Sequence, residues 1–219
     1  MQNIFIVGSA GKVGLRLVKK LKLLGHVVHG LYRHDKQFSI LKNTGAIPIK
    51  GNLTTLSEEQ LAEKMADNDV VVFTAGAGGA GIEVTNAIDG TGLELTVNAA
   101  KRAGIRRFIL VSVFPEAARN KGLSARFENY MSVKKTADAY LVATDLDWVI
   151  LRPGTLSDEQ GSGNIAADLA INYGSVTRDD VAATLAELIN QPNINHKIIE
   201  LTQGETPIAQ AISKLAFNK

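Results

Sequence analysis

The stretch Ile4-Phe5-Ile6-Val7-Gly8-Ser9-Ala10-Gly11-Lys12-Val13-Gly14 decides the fold. Four apolar residues run straight into a glycine, the pattern of a strand buried on both faces that turns sharply at its end. Gly8 permits the turn, and Gly11, with no Cβ, lets the backbone come within hydrogen-bonding distance of a pyrophosphate. Gly14 lets the following helix pack closely on the strand. That helix is legible in Val13, Leu17, Leu21 and Leu24, which share one face, while Arg16, Lys19, Lys20 and Lys22 mostly turn away. Its N-terminus offers unpaired N–H groups and a partial positive charge to phosphate. A second apolar run at 27–32 completes strand, turn, helix and strand. In that context Gly8, Ser9, Ala10, Gly11, Lys12, Val13 and Gly14 are candidate dinucleotide ligands, with a first glycine gap one residue longer than in G-x-G-x-x-G.

The residue that closes the second strand selects the nucleotide. A carboxylate there accepts a hydrogen bond from the adenosine ribose 2′-hydroxyl and repels a 2′-phosphate, whereas this chain has Arg33, a planar donor suited to phosphate. NADP is therefore expected over NAD. His34 and Lys36 add positive charge; Asp35 opposes it and is a candidate N-cap for the next helix.

Outward from this unit, strands are expected at 46–50, 69–74, 107–113, 148–151 and 197–201, alternating with helices at 38–43, 57–66, 84–102, 127–143, 177–190 and 208–216. Such alternation means a parallel sheet with right-handed crossovers: an α/β, doubly wound Rossmann fold of seven to eight strands in a single domain spanning 1–219. Ser57 with Gln60 reads as a capping box, and Thr177 with Asp180 resembles one. In an open parallel sheet, ligands lie along the carboxyl ends of the strands. That places Asn52 and Leu53, the glycine-rich Ala75-Gly76-Ala77, and Pro153 beside the cofactor. The segment 115–124 is polar and irregular. Residues 155–175 are glycine-rich and polar and are expected to form a substrate lid hinged at Gly161 and Gly163.

With 219 residues, 45% of them hydrophobic, there is material for one full core and not for two. The net charge of +2 gives no warrant for nucleic acid or membrane as partner. No cysteine is present, which excludes a disulfide framework and thiol or zinc-thiolate chemistry, and no metal site is read. The N-terminus lacks the basic start and apolar core of a signal peptide, and no apolar run approaches the ~20 residues that span a bilayer. A cytoplasmic protein acting on a small molecule, as a monomer or weak homodimer, is expected.

One constellation could carry chemistry. Tyr130 and Lys134 are spaced i, i+4, so both project from one face of a helix. An ammonium beside the phenol would stabilise the phenolate and make the tyrosine a usable acid or base nearer neutrality. Ser112, at the end of the preceding strand, could bond the same substrate oxygen while a nicotinamide exchanges hydride. Tyr32 and Lys36 share the spacing but straddle a strand end.

The whole chain resembles the atypical short-chain dehydrogenases/reductases of the small NAD(P)-binding, NmrA-like type, a group named as NAD-dependent epimerases/dehydratases or oxidoreductases. The matching residues are GSAGKVG (8–14), Tyr32-Arg33, Gly51-Asn52-Leu53, FTAGAGG (73–79), Ile88-Asp89-Gly90, AAKRAGIRRFILVS (99–112), LDWVILRPG (146–154) and TRDDVA (177–182). The resemblance implies NADP in the glycine turn and the family's Ser, Tyr and Lys at Ser112, Tyr130 and Lys134, with Lys134 also touching the nicotinamide ribose. Two departures stand out. Asn52 replaces the common Asp. Asp89 stands where competent relatives carry an Asn that organises a proton relay, and a carboxylate there would hold Lys134 protonated and anchor it away from Tyr130. Sugar epimerases of the extended group have a larger region after the equivalent of Gly154, so a nucleotide-sugar is expected to be a poor substrate. Three readings follow: an NADPH-dependent reductase of a small carbonyl, a redox sensor that binds NADP without turnover, and a flavin or tetrapyrrole reductase similar to biliverdin reductase B.

Overall fold

A computed structural model describes residues 1–117, 122 and 124–216. Residues 118–121 and 123 of the segment expected to be irregular lie outside the described residues. The first strand, β1 (Asn3–Val7), is buried at all but its first residue, and β4 (Val70–Phe73) throughout. Successive side chains on a strand point to opposite faces. Ile4 and Ile6 join Leu17 and Leu21 of α1 (Lys12–Leu23) in one core. Phe5 and Val7 enter a second core with Leu61 and Met65 of α3 (Glu58–Met65) and Leu93 and Val97 of α5 (Gly92–Arg102). A sheet apolar on both faces needs helices on both, and this one has them.

The other strands of the main sheet are β2 (Val27–Tyr32), β3 (Ile47–Lys50), β5 (Arg107–Val111), β6 (Asp147–Pro153), β8 (Asn164–Asp168), β10 (Lys197–Gln203) and β11 (Thr206–Pro207). They lie in the order β11-β8-β10-β6-β5-β4-β1-β2-β3. From β3 to β10 every pairing is parallel, which is the doubly wound body expected. Two short antiparallel strands, β8 on β10 and β11 on β8, extend it to nine strands. A separate pair joins β7 (Thr155–Ser157) to β9 (Ser175–Thr177).

Much of 155–175 is therefore built into sheet. Its lower part is also pinned, since the N–H groups of Ser162 and Gly163 donate to the Asp180 carboxylate at 3.0 and 2.9 Å, at the start of α7 (Arg178–Asn190). Residues 169–174 lie outside the strands; there the Leu169 N–H donates to Asp168, the Ile171 N–H to Glu200, and the Gly174 carbonyl accepts the Thr155 N–H.

The remaining helices are α2 (Lys36–Asn43), α4 (Ile82–Thr85), α6 (Ala125–Val142) and α8 (Ile208–Leu215). Ser57 and Gln60 form the capping box expected of them. Asp35 does not cap α2: it adopts helical dihedrals and accepts from Lys50 at 2.6 Å, while the Gln37 side chain takes the N–H groups of Arg33 and His34. The long helix expected at 84–102 begins at α4 and is interrupted by a π-helical turn, Asn86–Thr91, before α5. Among the described residues no helix is long and apolar enough to cross a membrane.

Candidate cofactor and acceptor site

A cleft of about 740 Å³ runs along the carboxyl ends of the parallel strands. Its first half is made of backbone. Gly8 has φ +87°, and a Cβ there would lie 2.4 Å from the Ala75 nitrogen, so the ends of β1 and β4 touch with no room between them. A Cβ on Gly14 would lie 2.3 Å from the Gly8 carbonyl oxygen. The α1 helix is capped by Gly11, with no side-chain cap bond and no acidic residue in its first turn. An N-terminus left without its own anion fits a pyrophosphate.

Gly8, Ala10, Gly11, Lys12 and Val13 line the cleft, as do Arg33, Asn52 and Leu53. Ala75, Gly76, Ala77, Lys134 and Pro153 line it further along. Ser9 and Gly14 do not. Ser9 is fully buried and its hydroxyl donates to the Leu31 carbonyl at 2.8 Å, stapling the turn to β2, and Gly14 lies beneath the turn as a packing residue. Arg33 projects at the nucleotide end, where its Nε donates to His34 Nε2 at 2.8 Å. Asn52 both lines the cleft and makes its turn, its side-chain oxygen accepting the Thr54 N–H.

Three cations converge on Asp158 at the rim: Lys12 at 2.5 Å, Arg178 at 3.1 Å and Arg16 at 3.5 Å. The Lys12 hydrogen bond, with the neighbouring guanidinium charges, holds this exposed carboxyl below its usual range.

The second half is made of side chains. Ser112 follows β5; its N–H donates to the Leu151 carbonyl at 2.7 Å, and its hydroxyl is buried at the cleft wall with no partner among the described residues. Lys134 and Asp89 are 3% and 2% exposed, which for an ion pair demands close accounting of each donor. The Lys134 ammonium donates to the Val111 carbonyl at 3.0 Å and lies 3.7 Å from Asp89 Oδ1. Asp89 Oδ2 accepts the Ala77 N–H at 2.9 Å. Asp89 thus ties the loop after β4 to α6, and the π turn aims it there. Desolvation pulls the Lys134 pKa down, against the opposing charges of Asp89 and Asp138.

Tyr130 lines the same cleft, and among the described residues its hydroxyl has no hydrogen-bond partner. Burial first, then the charges of Asp89 and Asp138, push its pKa above the ordinary phenol value. The structure therefore lines one cleft with Ser112, Tyr130, Lys134 and Asp89, with the lysine bonded to the Val111 carbonyl and paired with Asp89.

Sequence reasoning missed Asp138, one turn beyond Lys134 on the buried face of α6, where Arg152 holds it at 2.8 and 3.0 Å. It also missed the aromatic walls, Phe114, Phe127 and Tyr173. The glycine pair Gly90 and Gly92 inside an otherwise helical stretch was the available signal for the π turn, since a Cβ on Gly92 would sit 3.0 Å from the Ala87 oxygen.

Known proteins share this architecture. An NAD(P)H-binding family matches residues 8–192. A Bacillus subtilis protein named as an uncharacterized sugar epimerase, YhfK, is 35% identical over 97% of this chain and 100% of its own. A structure from Bacillus halodurans, named provisionally as an NAD-dependent epimerase/dehydratase, is 34% identical with a TM-score of 0.89, covering 98% of this chain and 100% of its own. ChuY of Escherichia coli O157:H7, named an anaerobilin reductase, is 26% identical with a TM-score of 0.78 over 93% of this chain and 98% of its own. The chain belongs to the NAD(P)H-binding family and has the fold of an atypical short-chain dehydrogenase/reductase.

Proposed function

We propose that the protein is an NADPH-dependent reductase of a carbonyl-type acceptor. The observation that carries this reading is the Ser112 hydroxyl, buried without a partner in the same cleft as the uncapped N-terminus of α1. A buried polar group without a hydrogen bond is costly, and an acceptor oxygen would satisfy it. Bound NADPH supplies the hydride. Ser112 donates to the acceptor oxygen, and the Tyr130 phenol adds a second hydrogen bond as a neutral donor. Lys134 and Asp89 lock the loop after β4, the end of β5 and α6 around the reacting centre. Water supplies the proton that completes the reduction. Arg33 at the nucleotide end supports NADPH over NADH.

The Lys134–Asp89 lock also supports a second reading, an NADP-binding sensor without turnover. The name of ChuY supports a third, reduction of a tetrapyrrole-like acceptor.

Calorimetry with NADP and NAD, followed by NADPH oxidation in the presence of carbonyl acceptors, separates these readings. NADP should bind more tightly, with Arg33→Glu reversing most of a difference of about 1.5–3 kcal/mol; equal affinities would overturn the preference. Tyr130→Phe should slow turnover about fivefold, the loss of one hydrogen bond. A fall of ~10² to 10⁴ would instead restore Tyr130 as the proton donor. Binding with no turnover on any acceptor would leave the sensor reading.

A further inference from the structure

The acceptor end of the cleft has a composition that goes beyond its reaction type. Phe114, Ala117 and Met131 form a buried apolar cluster with Val113, Phe127 and Tyr130 packed against it. Two aromatic pairs belong to this wall. Phe127 and Tyr130, on the first turns of α6, have centroids 6.2 Å apart, tilted by 52°. Phe114 meets Tyr173 edge to face at 5.3 Å and 78°.

Tyr173 is the informative member. It is 52% exposed, yet its hydroxyl hydrogen-bonds the Thr155 side chain at 2.7 Å and its ring edge is held by Phe114. A large apolar ring is thus fixed in place at a cleft mouth with much of its surface still in water, an arrangement that favours a partner able to cover it.

The polar inventory at this end is as spare as the apolar wall is extensive. Among the described residues, Lys134 is engaged with Val111 and Asp89, Tyr173 with Thr155, and Arg178 with Asp158. The hydroxyls of Ser112 and Tyr130 are left, two donors for the two lone pairs of one carbonyl oxygen. Among the described side chains, a sugar's several hydroxyls would find only these two to bond them.

We propose that the physiological acceptor is a planar, conjugated carbonyl compound of the quinone class, its ring against the Phe114, Phe127 and Tyr173 walls and one carbonyl oxygen between Ser112 and Tyr130. This rests on the reductase reading above. The acceptor gains a hydride from NADPH at one carbonyl and a proton from water at the other, leaving the hydroquinone and NADP+. The oxygen that gathers charge during transfer is the one that Ser112 and Tyr130 face, where fixed donors act most strongly. The sugar chemistry in the name of the Bacillus subtilis relative does not suit this wall.

The test uses the full chain loaded with NADP+, with menadione, UDP-glucose and butanal as probes of binding by calorimetry, and NADPH oxidation by the same three as a second readout. Menadione should bind and be reduced, and Tyr173→Ala should weaken its binding about fivefold while leaving NADP affinity unchanged. Menadione that binds but is not reduced would support the aromatic seat and overturn the reductase reading. NADPH oxidation by butanal or UDP-glucose with no menadione binding would keep the reductase and overturn the quinone assignment. Menadione binding that is indifferent to Tyr173→Ala, or absent with every probe, would overturn it as well.

Discussion

The two halves of the cleft are built to hold a ligand by different means. Around α1 the wall is backbone: Gly8 and Gly14 bring strand, turn and helix so close that an added Cβ has nowhere to go, and one on Gly11 would lie a tight 3.1 Å from the Gly8 carbonyl oxygen. Around α6 the wall is side chains whose meaning depends on residues far away in sequence, with Lys134 answering to Asp89 from the π turn and to Val111 from β5. A site carried by backbone is set by seven consecutive residues packed on the end of β4 and serves one purpose. A site carried by side chains can be retuned by one distant substitution, which is how a Tyr–Lys spacing comes to be present with the lysine committed elsewhere.

Gly14→Ala breaks the first half outright. In an open helix this change is worth about 1 kcal/mol of added stability. Here the new methyl would stand 2.3 Å from the Gly8 oxygen and 2.8 Å from the Ser9 Cα and carbonyl oxygen, all backbone atoms that cannot rotate away. The expected outcome is a loss of about 3 kcal/mol in urea denaturation, with NADP binding undetectable by calorimetry. A variant as stable as the wild type that still binds NADP would show that this half is not held by backbone contact.

Lys134→Met probes the second half and should cost less in function than in stability. Removing one member of a buried pair leaves the other uncompensated, at about 3–5 kcal/mol. Adding Asp89→Asn should recover most of it, because the amide oxygen still accepts the Ala77 N–H and no charge remains. Full additivity of the two losses would mean that Asp89 and Lys134 are not coupled. The pH dependence has a defined sign. The folded-state pKa of Lys134 is depressed, so between that value and the unfolded one the unfolded chain binds the extra proton, and stability rises with pH. Asp89→Asn removes a charge that holds the lysine protonated, so the rise should begin at lower pH than in the wild type.

The same contrast explains what the sequence discloses. The seven strands of the parallel body, the capping box at Ser57 and the glycine turn at 8–14 are local patterns, each complete within a few residues, although the cradle closes only when β4 brings Ala75 against Gly8. The antiparallel edge is not: β8 is five residues with a single large apolar side chain, Ile165, until β10 offers it a partner, and β11 is two residues long. Asp35 looked like a cap because of its position, but Lys50 on β3 competes for its carboxylate and Gln37 reaches the open N–H groups instead. Tyr130 and Lys134 were legible as residues and not as chemistry. Their protonation is biased first by their own burial and then by Asp89 and Asp138, and no periodicity announces the burial of either pair.

Asp158→Asn gives the smallest effect and tests where the two halves meet. Asp158 follows β7, in the segment that leads toward Tyr173, and its carboxylate holds Lys12 at the α1 N-terminus together with Arg16 and Arg178. A pyrophosphate arriving at that N-terminus brings negative charge to the same cations, so Asp158 and the cofactor compete. Neutralising the carboxylate should tighten NADP binding a few-fold at low ionic strength, the modest scale of exposed pairs. The gain should vanish near 1 M salt, where the screening length falls to about 3 Å. Asn at 158 also keeps a side-chain oxygen for Lys12, so the loop should not be released by loss of the hydrogen bond alone. If binding weakens instead, Asp158 does not compete with the phosphate; it keeps the cations in place for it, and the rim then belongs to the cofactor half of the cleft and not to the acceptor half.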